Sequence, residues 1–252
     1  MEYDVAVIIP TFNEEGNIEE MIYAVDNVCK EKQINECILV VDDNSPDNTQ
    51  NIVKDVMSKF PNVDILVRYE NHGLSQSIFD GFMKTSCRYA LVIDADFTHP
   101  PKKIPEIYYH LKSGKYDLVM GSKFLKGSKM ENWPPLRSVM SYMSGYISRI
   151  LFPSVTDPGS GFFGIDKKIL EGCTFKPRGF RMAFEILGKG NWTHVMEIPE
   201  TLRDRTEGKS KLSIKIILIF FSQFVELAVY NLIKRKSNNV IRSWKIFLSR
   251  KN

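Results

Sequence analysis

The chain holds 252 residues, 43% hydrophobic and 25% charged, the proportions of one folded domain with an appendage. They exclude wholesale disorder, a collagen-like repeat and a polytopic membrane protein. The net charge of +4 is uneven: residues 234–252 hold seven Lys and Arg and no acid, leaving 27 basic against 30 acidic residues in 1–233, a body too acidic for a nucleic-acid footprint.

Residues 5–9 are a continuous apolar, β-branched run, the pattern of a strand buried on both faces. Residues 16–30 follow with Ile18, Met21, Ile22, Val25 and Val28 at helical spacing. The alternation repeats: strands over 38–41, 63–67, 89–93 and 117–120, helices over 49–59, 74–85 and 104–112. Such alternation predicts an α/β fold with a mostly parallel sheet and helices on both faces. Ligands of such sheets bind beyond the carboxyl ends of the strands. That rule singles out Pro10 to Glu14, Asp42-Asp43 and Asp94-Ala95-Asp96, each just past a strand's last apolar residue.

The second half is less regular. Residues 136–152 read as a helix, 156–164 as turns and then aromatics, 192–198 as a strand and 199–211 as a charged loop. Residues 214–233 match the length of a bilayer span. Lys215, Ser222 and Glu226, with Gln223 beside them, nevertheless mark one polar stripe. Ionisable groups inside a lone span are costly, so a helix lying in the interface or packed on the body is expected instead. The basic tail behind it, with Trp244, Ile246, Phe247 and Leu248 among cations, reads either as headgroup-seeking or as a solvated terminus. Cys29, Cys37, Cys87 and Cys173 are far apart in sequence and read as reduced thiols of an intracellular protein. Nothing at the N-terminus reads as an export signal.

Two acidic strand ends could carry chemistry. Asp94-Ala95-Asp96 can present two carboxylates to one small volume, and Mg²⁺ or Mn²⁺ takes such oxygens while leaving positions for substrate phosphates. The bland alternative is an acid pair capping the helix beyond Pro100-Pro101. Asp42-Asp43-Asn44-Ser45-Pro46-Asp47 could place a nucleoside, but these are also the residues that build turns and helix caps.

The motifs also occur together and in order: Pro10-Thr11-Phe12-Asn13-Glu14, Val40 to Asp47, Asn71-His72-Gly73-Leu74, then Asp94-Ala95-Asp96-Phe97-Thr98-His99-Pro100-Pro101. This array resembles the family 2 glycosyltransferases, which have a GT-A nucleotide-diphospho-sugar fold. Gly121-Ser122-Lys123-Phe124, the Asp157 to Phe163 turn and Arg205 to Leu212 resemble the dolichyl-phosphate (polyprenyl-phosphate) mannosyltransferases within it. The resemblance implies a catalytic domain over 1–212 and a membrane-interface helix with its basic tail over 213–252. It implies that Pro10, Phe12, Glu14, Val40, Asp42 and Asp43 hold the nucleoside. Asp94, Ala95 and Asp96 would hold diphosphate and metal, Asp96 more directly. Phe12, Thr98 and Lys123 stand where Tyr, Gln and Arg are usual; Thr98 would serve the metal with a water completing the shell, and Lys123 would be a point charge in place of a fork.

A lipid phosphate is already an anion and needs cations to hold it in line rather than a base. Arg137, Arg205 and Lys211 match the subgroup's cationic positions, with Lys209 nearby. Asp157 matches a position facing the sugar, or simply forms a turn. Arg203 reads as a surface ion pair with Asp204 or Glu207, and His72, His99, His110 and His194 as structural or exposed. The reading is an inverting, metal-dependent transferase that moves a hexose, mannose from GDP-mannose, to polyprenyl or dolichyl phosphate at the cytoplasmic face of a membrane. A membrane partner subunit stays open. Its rivals are a UDP-sugar-dependent transferase and a nucleotide-sugar-binding membrane subunit without activity.

Overall fold

The computed structural model describes residues 3–131, 135–203, 214–233 and 239–249, without the side chains of 135–141, 144, 214–217, 232 and 249. Its first half alternates as expected: β1 (Val5–Thr11), α1 (Ile18–Glu31), β2 (Glu36–Asp42), α2 (Thr49–Met57), β3 (Val63–Val67), α3 (Leu74–Lys84), β4 (Tyr89–Val92) and α4 (Ile104–Lys112). Next come β5 (Leu118–Ser122), β6 (Lys129–Glu131), α5 (Pro135–Leu151), β7 (Phe163–Asp166), α6 (Met182–Lys189), β8 (Val195–Pro199) and β9 (Thr201–Arg203). Two C-terminal helices complete the chain, α7 (Ile214–Ile233) and α8 (Asn239–Ser249).

Seven strands make one sheet in the order β3-β2-β1-β4-β7-β5-β8, and β6 pairs with β9 apart from it. Every neighbouring pair in the large sheet is parallel except those of β7, which runs antiparallel to β4 and to β5. The order reverses direction between β1 and β4, so the crevice for a ligand opens above those two strands.

The apolar runs are continuous because both sheet faces are covered. Val5, Val7 and Ile9 point into a core with α1, α2 and α4 residues such as Met21, Val53 and Ile107. Ile8, on the other face, joins Ile78, Phe82, Phe184 and Leu227 from α3, α6 and α7. At Gly164 a Cβ would lie 2.6 Å from Ile107 and 2.9 Å from Leu111, so α4 closes onto the sheet only because this residue has no side chain. Gly164→Ala is expected to destabilise the protein by about 1–3 kcal/mol through overpacking, read as a lowered urea midpoint at unchanged slope.

Several local expectations are revised. The antiparallel β7 occupies a stretch read as turns and aromatics, and β9 lies in the stretch read as loop. Helix α6 is buried on every side and so lacks the apolar stripe that marks a surface helix. The tail contains a helix, α8, bound to the body rather than a solvated terminus. Asn239 Nδ2 donates to the carbonyls of Leu187 (3.0 Å) and Gly190 (2.7 Å), and Arg242 donates to that of Trp192. Cys37 and Cys87, fifty positions apart, come within 3.6 Å through their free thiols.

Helix α7 also differs from its expected polar stripe. Gln223 and Asn231 turn inward, where their amides donate to the carbonyls of Arg181 and Gly188. Glu226 meets Lys189 of α6 at 3.0 Å. Ser222 stays exposed, and the Lys215 side chain lies outside the described residues. Leu218, Phe221, Val225, Val229 and Ile233 are exposed. One side of this helix is thus held to the body by these polar contacts together with buried Phe220 and Leu227, and another, apolar side faces outward. Among the described residues, no helix is long and apolar enough to cross a membrane.

Candidate active site

The first four strands each lead into a residue with left-handed backbone: Asn13 (φ 60°), Asn44 (φ 55°), Asn71 (φ 55°) and Phe97 (φ 56°). Asparagine tolerates that conformation, whereas an aromatic side chain pays about 1–3 kcal/mol for it. These bends fold four loops over the carboxyl edge of the sheet, above the reversal point.

On the β1–β2 side, backbone and side chains interlock. Asn13 N donates to Ser45 Oγ (2.9 Å), Glu14 N to Thr49 Oγ1 (2.9 Å) and Glu15 N to Asp47 Oδ2 (3.2 Å). Asp42 is fully buried; its Oδ1 accepts from Ser45 N (2.8 Å), its Oδ2 from Ser45 Oγ (2.6 Å) and Thr11 Oγ1 (2.9 Å). Asp43 accepts from Gly73 N (2.7 Å), Ser77 Oγ (2.8 Å) and the Arg68 guanidinium. Arg68 is itself buried; its Nε donates to Asp80 Oδ2 (2.8 Å) and its Nη2 to the carbonyl of Asn71 (2.5 Å). Both expected nucleoside acids therefore hold protein donors and shape the loops around them. Val40 is buried inside β2 and Pro10 inside β1, while Phe12 is 43% exposed at the rim. Glu14 Oε2 accepts from Asn17 Nδ2 at 3.0 Å.

On the β4 side, Asp94 keeps 29% of its side chain exposed, while Asp96 and Ala95 are buried. Asp96 Oδ1 accepts from Thr98 N at 3.1 Å. Among the described residues, the buried hydroxyl of Thr98 has no hydrogen-bond partner, which is uncommon in a folded protein. Two carboxylates beside an unsatisfied hydroxyl are an all-oxygen donor set, which fits Mg²⁺ or Mn²⁺ with substrate and water filling the rest of the shell. No three His, Cys, Asp or Glu among the described residues form a ready-made metal cluster.

His99 takes the structural half of its expected structural or exposed role, at the edge of the acid pair. It is buried, donates from Nδ1 to Glu200 Oε2 at 2.9 Å, and places Nε2 4.0 Å from Asp94 Oδ2. Burial alone would depress its pKa, but Glu200, Asp94 and Asp96 outweigh that and hold it above the ordinary value. Glu200 carried no signal in the sequence, since a lone acid after a short strand is indistinguishable from a surface residue.

Across the crevice, the Asp157 turn is fixed from several sides. Lys123 Nζ meets Asp157 Oδ2 in a short ion pair, so this lysine is engaged by the protein. Glu197 accepts from Thr156 N (2.7 Å), Thr156 Oγ1 (2.9 Å) and Asp157 N (2.8 Å). Burial pushes the Glu197 carboxyl above its ordinary value, against those donors. Burial lowers the pKa of Arg181, and nearby Asp157 opposes the shift. Next to Lys123, Phe124, Tyr142, Met143, Tyr146 and Arg149 line an open cleft of about 330 Å³. Arg203 pairs with Glu131 at 3.2 Å, while Asp204 and Glu207 lie outside the described residues. Arg137 lies on α5, its side chain undescribed; Arg205, Lys209 and Lys211 lie outside the described residues.

The Glycosyl transferase family 2 profile matches residues 6–174. The dolichol-phosphate mannosyltransferase of Pyrococcus furiosus is 39% identical over 226 residues, 88% of this chain and 63% of that protein. The chain thus spans just under two thirds of the length of that relative. The dolichol-phosphate mannosyltransferase of Saccharomyces cerevisiae is 33% identical over 96% of this chain and 92% of its own length. Among solved structures, glucosyl-3-phosphoglycerate synthase from Mycobacterium tuberculosis, crystallised with Mn²⁺ and UDP, superimposes with a TM-score of 0.65. That match covers 90% of this chain and 79% of the other at 16% identity, a likeness of fold. With its acid pair at the reversal point of a mostly parallel sheet, the chain belongs to glycosyl transferase family 2 and carries its GT-A-type fold.

Proposed function

We propose that the protein transfers mannose from GDP-mannose to a polyprenyl or dolichyl phosphate at a membrane surface, with inversion at the sugar carbon. The observation that carries this reading is the acid pair Asp94 and Asp96 at the sheet's reversal point, on a body whose α7 turns an apolar side outward. The choice of mannose and of a lipid phosphate rests on the names of relatives 33–39% identical to the chain.

The exposed face of Phe12, with Pro10 and Glu14, would receive the nucleoside, on loops that Val40, Asp42 and Asp43 hold in place. Asp94, Ala95, Asp96 and Thr98 would hold the diphosphate and Mg²⁺ or Mn²⁺. A bound cation would neutralise the charge that gathers on the departing diphosphate. Asp157 would face the sugar, held by Lys123 and Glu197. An acceptor phosphate oxygen would form the new bond to C1 as the C1–diphosphate bond breaks on the opposite face. No proton need move, since the acceptor is already an anion. Arg137, Arg205 and Lys211 would orient it, and orientation supplies much of the rate.

Residues 1–212 would form the catalytic unit and 213–252 the part that meets the lipid. The outward side of α7, with Ile241, Trp244 and Leu248 on α8, would lie among headgroups on the cytoplasmic face, with Lys and Arg of the tail adding about 1 kcal/mol each near anionic lipid.

The test is product formation in vesicles containing a polyprenyl phosphate, with GDP-mannose, UDP-glucose or UDP-N-acetylglucosamine and Mn²⁺. Mannosyl-phospholipid from GDP-mannose alone is expected. Transfer only from a UDP-sugar would overturn the donor assignment, and transfer only to a water-soluble acceptor would overturn the lipid assignment.

A further inference from the structure

We propose that His99 and Glu200 are a positioning pair that fixes Asp94 at the carboxylate pair. The proposal rests on the reading of Asp94 and Asp96 as diphosphate and metal holders; neither His99 nor Glu200 belongs to the expected ligand set.

The imidazole has little choice of pose. Phe162 stacks on it at 5.5 Å between centroids and 24° between planes, and Glu200 Oε2 accepts from Nδ1 at 2.9 Å. Its Nε2 edge is thereby left facing Asp94 Oδ2 at 4.0 Å. Two glycines clear the space. A Cβ at Gly121 would lie 2.6 Å from Glu200 Oε2, and one at Gly161 would lie 3.3 Å from Asp94 Oδ2 and 3.5 Å from His99 Nε2. A buried histidine–carboxylate pair is a poor way to gain stability, because desolvation consumes most of the attraction. Carboxylates behind a site instead orient the groups in front of them.

The same residues stitch two segments together. Glu200 N donates to Ser122 O at 3.3 Å, and Lys129 N to Glu200 O at 3.2 Å, so β5 and β6 fix its backbone. Three residues on, Arg203 N donates to Thr98 O at 3.2 Å. Residues 98–99 and 200–203 are therefore tied at two points, which holds the His99–Glu200 pair in place against the β4 loop.

The test is Mn²⁺ binding to the full chain, read by the electron-paramagnetic signal of free Mn²⁺, with GDP or UDP present, whichever the wild type binds. Glu200→Gln keeps the shape and removes the charge. His99→Asn keeps a donor toward Glu200 and removes the edge facing Asp94. Each is expected to weaken Mn²⁺ binding about tenfold, with metal-free nucleotide affinity and melting temperature close to wild type. The double variant should be no worse than the weaker single one, because the two residues act in series. Mn²⁺ affinity within twofold of wild type in both single variants would overturn the pair's role alone. A wild type that takes up no Mn²⁺ with either nucleotide would overturn the metal reading of Asp94 and Asp96, and the pair's role with it. Parallel loss of metal-free nucleotide binding and melting temperature would assign the pair to stability instead and overturn the proposal.

Discussion

Asp96→Asn is expected to lower sugar transfer about a thousandfold while leaving the fold intact. The amide keeps an oxygen where Oδ1 accepts from Thr98 N, so the local turn survives. What disappears is a negative charge in a buried position, 5% exposed, where electrostatic stabilisation is worth far more than in water. Removing one such preorganised group from a reacting centre typically costs about 10²–10³ in rate, and a thousandfold is roughly 4 kcal/mol. Asp94, more open to solvent, should show the smaller loss when changed in the same way. The measurement is turnover of donor across a Mn²⁺ titration, beside a melting curve. Retention of more than a tenth of wild-type turnover at every Mn²⁺ concentration would remove Asp96 from the chemistry.

Arg68→Met should produce the largest stability loss at the rim. Arg68 binds Asp43, Asp80 and Ser77 and the carbonyls of Glu70 and Asn71. Removing one partner of a buried ion pair strands the other charge and costs about 3–5 kcal/mol. For a chain of this size that is on the order of 10 °C in melting temperature. The 70–73 loop loses its anchor at the same time, so nucleotide affinity should fall with stability. Adding Asp43→Asn should restore part of the loss, because a neutral amide is cheaper to bury than a lone carboxylate. A single variant that melts within 2–3 °C of wild type, roughly 1 kcal/mol, would mean that the pair is solvated and stabilises little.

The motif reading reached Asp94, Asp96 and the two aspartates of β2 because strand ends in a parallel sheet are placed by local pattern. It did not reach Arg68, Ser77, Glu197 or Glu200, whose partners lie 25, 34, 41 and 101 positions away. Each is a common polar residue whose role exists only after the sheet has brought distant loops together. Lys123 shows the same limit from the other side: its position was legible, its engagement with Asp157 was not.

Helix α7 divides the two kinds of information most sharply. Its length and helical nature follow from a mostly apolar run interrupted by a few polar residues, and the buried strands and the order of the βα units follow from local patterns of the same kind. Which side of that helix meets the body could not be read from the residues, because hydropathy alone directs apolar groups inward. The structure divides the helix: Phe220 and Leu227 pack into the core, Lys189 in α6 and the carbonyls of Gly188 and Arg181 also draw Glu226, Asn231 and Gln223 inward, and Leu218, Phe221, Val225 and Val229 stay outside. By itself the sequence determined the family, the sheet and the acidic rim, since local periodicity and short motifs encode them. Only tertiary structure decided which charges are spent on holding loops and which stay available at the rim, because a buried charge takes whichever partner the fold places within reach.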